Sequence, residues 1–178
     1  KYKINIKFTS MINISELRNK TKYDNTKIFQ NLDFVRRYNI REAIKDNCVV
    51  KKSTDIITFI NNYKLMMSKQ NLLIKKNKLD TMMRIIDYFI NNNKSILLEA
   101  KNKNNELLYS TFYLWDSNKA YYMFGAGSEK NISYQATIAN WEAFKYIANN
   151  TDIEIVDLEG VNSPKRGWFK LSFGGSLD

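Results

Sequence analysis

Three consecutive segments rich in strand-forming residues, joined only by short turns, constrain the fold of this chain more than any other feature. They are SILLEAKN at 95–102, ELLYSTFYLWD at 106–116 and AYYMFGAG at 120–127. β-branched and aromatic residues favour strands, and the polar links KNN and DSNK are typical of tight turns. Because parallel neighbours need a crossover of a dozen or more residues, connections this short indicate antiparallel pairing. The sequence therefore predicts a three-stranded antiparallel meander.

Helical spacing of apolar residues dominates the chain before the meander. Three segments in which apolar residues recur every three or four positions are predicted as helices, at residues 24–47, 53–70 and 79–93. Asp24 or Asn25 is expected to cap the first of them, and Ser53 or Thr54 the second, because short polar side chains bond the free N–H groups of a first turn. We expect these helices to cover the sheet.

The remaining elements place the meander in a larger sheet. Strands are predicted at residues 3–9, 49–52 and 153–160, and a helix at 134–150. A loop with Pro164 then leads into WFKLSFGG, at 168–175, which we expect to be a loop or a strand end. The order predicts an α+β fold with a mixed central sheet, an antiparallel meander and flanking helices, entered through a β–α–β crossover.

The composition fits one globular domain and excludes several kinds of site. The chain has 178 residues, of which 44% are hydrophobic, enough for a sizeable core. It has no histidine and a single cysteine, Cys48, which excludes an internal disulfide, a His-based catalytic triad and a His-ligated zinc site. We expect no metal. Because the chain starts at Lys1 rather than Met, we interpret it as one domain, residues 1–178, cut short at one or both ends.

Positive charge is concentrated in the first half of the chain. Residues 1–94 hold 20 Lys and Arg against 8 Asp and Glu, a balance of +12, whereas residues 95–178 hold 8 against 10, a balance of −2. This asymmetry favours an anionic partner such as a phosphate-bearing cofactor, a nucleic acid or an anionic lipid. A solvated lysine-rich surface is the alternative. No apolar run approaches the roughly 20 residues of a membrane span, so we predict no transmembrane segment and a cytoplasmic location.

Two stretches of the chain resemble a known family in order and spacing. RRYNIREAIKDNCVVKKSTDIITFINNYKLMMSKQ, residues 36–70, resembles a segment of Fem-type transferases in which an Arg-rich helix precedes a short strand and a helix. A Tyr-Tyr-x-aromatic-Gly-Ala strand, a helix with Trp-Glu-Ala, a strand ending in Asp-x-x-Gly and the motif Phe-Lys-x-x-Phe-Gly-Gly resemble the second half of the same domain. The resemblance covers residues 34–175. It implies the GNAT fold and transfer of an acyl or aminoacyl group to an amine.

The resemblance leaves the donor open. Acetyl-CoA-dependent GNAT enzymes usually carry a basic Arg/Gln-x-x-Gly-x-Gly/Ala loop before the central helix, where this chain reads GAGSEKNISYQA. The first hypothesis is an N-acyltransferase that takes acyl-CoA and acylates a small-molecule amine of a cell-envelope or sugar-nucleotide precursor. The second is a Fem-type peptidyltransferase that uses aminoacyl-tRNA on a peptidoglycan precursor. The third is a non-catalytic module that binds nucleic acid or another anionic partner.

Four residues are candidates for catalysis. Amide formation requires that the amine lose a proton and that the carbonyl oxygen be stabilised as it gains charge. Lys170 stands among aromatic residues, so we expect it to be partly desolvated and to stabilise an oxyanion or a donor phosphate; a solvated strand-end lysine is the alternative. The resemblance implies that Phe169 and Lys170 hold the reaction centre. Asp157 or Glu159, two apart on one strand, is the candidate base, and a turn-forming role is the alternative.

Binding roles are predicted on one strand and one helix. Five consecutive residues are expected to offer their backbone to the pantetheine-like arm of a donor where GNAT strands separate: Met123, Phe124, Gly125, Ala126 and Gly127. Arg37, Arg41 and Lys45 recur every four residues and so line one helical face, which suits a phosphate or carboxylate of the substrate. Core packing for the strand and a solvated face for the helix are the alternatives.

Overall fold

One seven-stranded sheet runs through the structure, a computed structural model that describes residues 8–178. Its strands are β1 (Thr9–Asn13), β2 (Val49–Lys52), β3 (Ser95–Lys101), β4 (Leu107–Trp115), β5 (Lys119–Gly127), β6 (Ile155–Gly160) and β7 (Ser176–Leu177). Their order is β2-β3-β4-β5-β6-β1-β7; among these described strands β5 and β6 are parallel, and every other neighbouring pair is antiparallel. The predicted mixed sheet and its β3–β4–β5 meander are confirmed. Most of the strand predicted at 3–9 lies outside the described residues.

Helices cover both faces of the sheet. They are α1 (Lys27–Asn31), α2 (Phe34–Lys45), α3 (Ile56–Lys69), α4 (Lys76–Asn91), α5 (Gln135–Asn150) and α6 (Pro164–Leu171). Side chains alternate along β3, so Ile96 and Leu98 pack with α1, α2 and α5 while Leu97 packs with α3 and α4. The result is a sheet between two helical layers. Measured over residues 8–178, no helix combines the length and apolar character needed to cross a membrane.

The helix predicted at 24–47 is two helices, α1 and α2, which separate at Leu32 and Asp33. The Leu32 backbone is extended, with ψ of 140°, and the Asp33 carboxylate accepts a hydrogen bond from an N–H in the first turn of α2 (2.8 Å). The predicted cap was also wrong, because the Thr26 hydroxyl accepts the N–H of Phe29 and so caps α1 (3.3 Å). A strong capping residue inside a helical pattern therefore started a second helix.

The cap of α3 also differs from the prediction. The Asp55 carboxylate, rather than Ser53 or Thr54, accepts a hydrogen bond from the Thr58 N–H (2.9 Å). The Ser53 hydroxyl instead donates to the Glu99 carboxylate on β3 (2.7 Å). Ser53 is therefore drawn to the sheet edge, and the helix begins two residues later.

The first half of the segment 168–175, which was expected as a loop or strand end, belongs to α6, and the second half is a turn. Pro164 occupies the first turn of α6, where its fixed φ suits a helix and no hydrogen bond needs its missing N–H. Phe169 and Phe173, four residues apart, pack edge to face with 5.3 Å between ring centroids. Gly174, with φ of 76°, then turns the chain into β7. The expectation was wrong for residues 168–171, because Phe169 and Phe173 follow helical rather than strand periodicity, and was confirmed for residues 172–175.

The parallel strands β5 and β6 separate along their length. Their register runs from Lys119–Ile155 to Tyr121–Asp157 and ends there. Beyond that point β5 continues to Gly127, paired with β4 on its other side. Helix α5 makes the crossover between the two strands. Within the described residues, the second half of β5 therefore has a backbone edge without a strand partner.

Candidate functional site

A cavity of about 460 Å³ occupies the gap between β5 and β6. Its walls come from β4, β5, α3 and α6 and from the end of β6, and the first turn of α5 borders it. The side chains that line it are Tyr63, Met66, Met67, Gln70, Tyr109, Tyr122, Met123, Phe124, Ala136, Glu159, Arg166, Phe169 and Lys170. The cavity thus brings together predicted site residues from three separate elements.

Lys170 reaches the cavity from the last turn of α6. Its Nζ donates a hydrogen bond to the Gly160 carbonyl (3.1 Å) and lies 5.7 Å from the centroid of the Tyr122 ring. Burial lowers the pKa of Lys170, and the carboxylates of Glu159 and Asp157 oppose part of that shift. Lys170 is therefore a partly desolvated cation held against an aromatic face, as its sequence context predicted.

Glu159 lines the cavity, whereas Asp157 does not and is buried. Glu159 has a positive φ of 63°, which interrupts the regular strand conformation at the end of β6, and of the two residues only Glu159 reaches the cavity. Asp157 accepts hydrogen bonds from the Thr9 hydroxyl and from the Glu159 N–H (2.7 Å for the latter). Burial raises the pKa of Glu159, and the Asp157 charge raises it further. Of the two candidate bases, Glu159 is the one placed at the cavity.

Phe169 lies between the cavity and Arg36, a residue that the sequence interpretation did not select. The Arg36 guanidinium carbon lies 4.8 Å from the Phe169 ring centroid, 5.1 Å from that of Trp168 and 5.9 Å from that of Phe173. Its Nη1 donates to the Thr137 hydroxyl on α5 (2.6 Å). Burial lowers the pKa of Arg36. The buried guanidinium therefore ties α6 to α2 and α5 beneath the cavity.

Three of the five predicted donor-binding residues line the cavity: Met123, Phe124 and Gly125. Ala126 is buried in the core beneath α3 and α4. Met123 has no register partner on β4, which marks a β-bulge at this point of β5. The strand separation predicted here is present, and donor binding by its backbone stays a prediction.

Two tyrosines that sequence reasoning missed as site residues form a pair at the back of the cavity. The hydroxyl oxygens of Tyr109 and Tyr122 lie 3.1 Å apart. Burial raises the pKa of both, that of Tyr122 well above 10.0, so both stay neutral hydrogen-bonding groups. A Cβ atom at Gly125 would collide with both hydroxyls. A glycine in the middle of an aromatic strand was the signal that could have found this pair.

The predicted substrate-binding cations are half-buried or exposed on α2: Arg37, Arg41 and Lys45. Arg37 donates to the backbone carbonyl of Leu32 (2.5 Å), Arg41 pairs with Asp24 (3.2 Å) and Lys45 with Glu42 (3.7 Å). None of the three lines the cavity. Their role in anion binding stays a prediction, and any anion that they bind would lie outside this cavity.

Cys48 is a half-buried free thiol that packs against the larger core and does not line the cavity. Burial raises its pKa to about 11, and the carboxylates of Glu142 and Asp46 add to the shift. The thiolate is therefore disfavoured at neutral pH. Across residues 8–178, no three Cys, Asp or Glu side chains are grouped so as to hold a metal ion.

No protein-family model matches the chain, and no curated protein sequence matches it. Solved structures do match its backbone. FemX superposes with a TM-score of 0.81 at 15% sequence identity, over 97% of this chain and 60% of the FemX chain. The fold is that of FemX. The predicted GNAT-like α+β fold is thereby confirmed.

Two further solved structures share the FemX fold. A domain assigned as the C-terminal domain of a lysylphosphatidylglycerol synthetase from Agrobacterium fabrum has a TM-score of 0.61 at 8% identity, over 97% of this chain and 58% of that one. L-PGS from Bacillus licheniformis has a TM-score of 0.56 at 9% identity, over 96% and 58%. This chain spans about three-fifths of the length of each structure, FemX included. The agreement lies in the backbone, and the chemistry of the cavity depends on the side chains present here.

Proposed function

We propose that this chain is a GNAT-like transferase that moves an acyl group from a thioester donor, such as acyl-CoA, to an amine. The observation that carries the proposal is the cavity where β5 and β6 separate, because Lys170, Glu159 and the unpaired edge of β5 face one space there. This set supplies a cation for a developing oxyanion, an acceptor for a proton and backbone groups for a donor.

In the proposed reaction, the amine nitrogen attacks the carbonyl carbon of the thioester. Glu159 takes a proton from the amine, directly or through a water, and its raised pKa makes it a stronger base than a carboxylate with the ordinary pKa of glutamate. The Lys170 ammonium stabilises the oxyanion that forms. The C–S bond then breaks, the sulfur leaves as a thiolate that takes up a proton, and the product is an amide. Phe169 packs on Arg36 and so fixes the helix that carries Lys170.

The apolar side of the cavity supports an acyl donor. Tyr63, Met66, Met67 and Phe124 line it, and walls of this kind suit a hydrocarbon or pantetheine-like chain. The free edge of β5 can bond the amides of such an arm as it would an added strand. We propose an amine of a cell-envelope precursor as the acceptor, because the resemblance to Fem-type transferases extends to the fold of FemX.

Calorimetric titration with acetyl-CoA and desulfo-CoA tests the donor. Wild-type protein is expected to bind both. Lys170→Ala is expected to weaken the binding of acetyl-CoA about tenfold or more, since it removes a charged hydrogen-bond donor to the thioester carbonyl, and to affect desulfo-CoA less because that ligand has no such carbonyl. Lys145→Ala is the matched control, because Lys145 pairs with Glu142 on α5 and does not line the cavity. If the wild type binds neither ligand, the CoA donor is contradicted.

An aminoacyl-tRNA donor is the second candidate, favoured by the cations near the cavity. Arg166 lines it and donates to Gln70 (3.3 Å), within a chain whose first half is strongly basic. Affinity for a tRNA is expected to fall steeply with salt, because phosphate contacts release counterions. Fluorescence anisotropy at low and moderate ionic strength measures this salt dependence, and salt-independent binding would count against a tRNA donor.

The non-catalytic module makes a different prediction. Its binding of nucleic acid would be left intact by Lys170→Ala and weakened by Arg37→Ala and Arg41→Ala.

A further inference from the structure

The connection between α3 and α4 exposes two adjacent leucines among lysines. Within this α3–α4 segment, residues 69–78, the side chain of Leu73 is 95% exposed and that of Leu72 is 43% exposed. The lysines of the segment are exposed too: Lys69, Lys75, Lys76 and Lys78. No Asp or Glu occurs between Asp55 and Asp80. The segment is therefore apolar at its centre and purely cationic around it.

Backbone hydrogen bonds fix this exposure. The Leu72 N–H donates to the Met67 carbonyl at the end of α3 (3.0 Å), and Asn71 takes the left-handed conformation typical of a helix C-terminus, with φ of 56°. The Lys78 N–H donates to the Lys75 carbonyl as α4 begins (3.0 Å). Within residues 8–178, none of the segment's lysines takes part in an ion pair. The leucines and the charges are thus presented together by a folded turn.

We propose that the α3–α4 segment docks the protein onto a membrane surface that carries anionic lipids. Leu72 and Leu73 would enter the boundary between headgroups and acyl chains, where apolar side chains leave water. The surrounding lysines would lie at the level of the anionic headgroups and gain from their surface potential. A single exposed leucine needs no explanation, but adjacent ones ringed by unpaired cations match this environment on both counts.

Other occupants fit the α3–α4 segment less well. A nucleic acid would use the lysines but leave both leucines in water. A second copy of the chain that docks through the same segment would bring two clusters of like charge together, since a two-fold interface places the same patch on both partners. An anionic membrane satisfies the apolar and the cationic groups at once, and we therefore favour it.

Docking through the α3–α4 segment would bring the cavity close to the bilayer. Gln70 belongs to the segment and lines the cavity, as do Met66 and Met67 in the preceding turn of α3. The proposal does not depend on the chemistry of the cavity. Its test is accordingly a measurement of membrane binding, whose failure leaves the transferase proposal untouched.

Vesicle co-sedimentation of the 178-residue chain tests the proposal. The vesicles are phosphatidylcholine alone and phosphatidylcholine with about 30% phosphatidylglycerol. The wild-type chain is expected to bind the vesicles that contain phosphatidylglycerol. Its affinity for them is expected to fall about tenfold in the variant Leu72→Ser/Leu73→Ser. It should fall about 30-fold in Lys75→Gln/Lys76→Gln, because each lysine near such a surface contributes about fivefold.

The controls remove equivalent exposed groups elsewhere. Ile44→Ser takes away an apolar side chain that is 66% exposed on α2, and Lys51→Gln/Lys52→Gln takes away two exposed lysines of β2. Both are expected to bind as wild type, and thermal melts check that every variant is folded. Failure of wild type to bind phosphatidylglycerol vesicles overturns the proposal. So does a serine variant that binds as wild type, or self-association in solution that the serine variant abolishes.

Discussion

Lys170 and Glu159 carry pKa shifts of opposite sign for the same physical reason. Burial removes water from both groups, which lowers the pKa of Lys170 and raises that of Glu159, and their mutual attraction offsets only part of each shift. Both side chains are therefore closer to exchanging a proton near neutral pH than they would be in water. This is the condition under which a pair of groups can act in acid–base chemistry.

We predict that the Lys170 amine titrates below 10.5, the ordinary value for lysine. Glu159→Gln should lower the pKa further, because the Glu159 charge is the largest of the influences that raise it. Acetylation with trace acetic anhydride across a pH series, read by mass spectrometry of the Lys170 peptide, gives the midpoint. Exposed Lys51 reports reagent activity in the same sample. A midpoint at or above 10.5, or one that rises in Glu159→Gln, contradicts the assignment.

Arg36 is expected to matter for stability more than any exposed arginine of α2. Arg36→Ala should lower the free energy of unfolding by about 2–4 kcal/mol, because it opens a cavity under three aromatic rings and removes their cation. Arg41→Ala is the control and should cost less than about 1 kcal/mol, since its pair with Asp24 is exposed. Urea unfolding measures both, and equal losses would show that Arg36 is not the tie between helices.

The two residues also show what a sequence can reveal at this scale. The partial burial of Lys170 beside aromatic rings was predictable, because its aromatic neighbours are adjacent to it in the chain. The motif that resembles Fem-type transferases includes the same residues. The burial of Arg36 was not predictable, because the rings that cover it come from the far end of the chain. Its one local signal is that it precedes buried Asn39 and Ile40 by three and four residues, on the inner side of α2.

Among the elements that line the cavity, α6 is the shortest helix and depends on packing. A helix of eight residues is not stable alone in water, so its conformation requires the contacts of Phe169 with Arg36. Beyond the helix, Phe173 packs on Phe144 of α5, with 5.4 Å between ring centroids. Local pattern therefore could not fix this element, whereas the longer α5 was predicted nearly to its ends.

Gly167→Ala should destabilise α6 even though alanine favours helices. Its Cβ would collide with the backbone carbonyl of Val161, so the helix must shift, at an expected cost of about 1–3 kcal/mol. Gly160→Ala is the matched control, because a Cβ there meets no atom within 4 Å. Urea unfolding of the two variants gives the comparison. A Gly167→Ala protein as stable as Gly160→Ala would mean that α6 is free to move.

At the scale of the molecule, the two helical layers bury unequal amounts of apolar surface. Within residues 8–178, the cluster under α1, α2 and α5 has 27 buried residues and the one under α3 and α4 has seven. We therefore predict that α3 and α4 open before the rest unfolds. In native-state hydrogen exchange, the free energy of opening measured at the Ile86 amide should be at least about 2 kcal/mol lower than that measured at the Phe144 amide. Equal values would show a single cooperative unit.

The order of elements predicted the α+β class but not the position of every strand. β1 lies between β6 and β7, and pairs Met11 with Asp157 from near the other end of the chain. Burial alternates along β1, with Ser10 and Ile12 inside, although its sequence Thr-Ser-Met-Ile-Asn does not alternate between apolar and polar residues. That sequence carries no information on which strand lies beside it, because such pairing depends on the packing of the whole sheet. The meander, closed by short turns, needed no such information.

The single cysteine has a practical consequence for enzymology. A thioester donor releases a free thiol with each turnover. A chromogenic disulfide reagent reacts with that thiol and releases a coloured product. Cys48 is half-buried with a pKa of about 11, so it reacts slowly with such a reagent near neutral pH, and no other cysteine is present. The protein itself therefore adds little to the absorbance signal of this assay. Candidate amines can be screened continuously in one cuvette, without labelled substrate and without altering the native sequence.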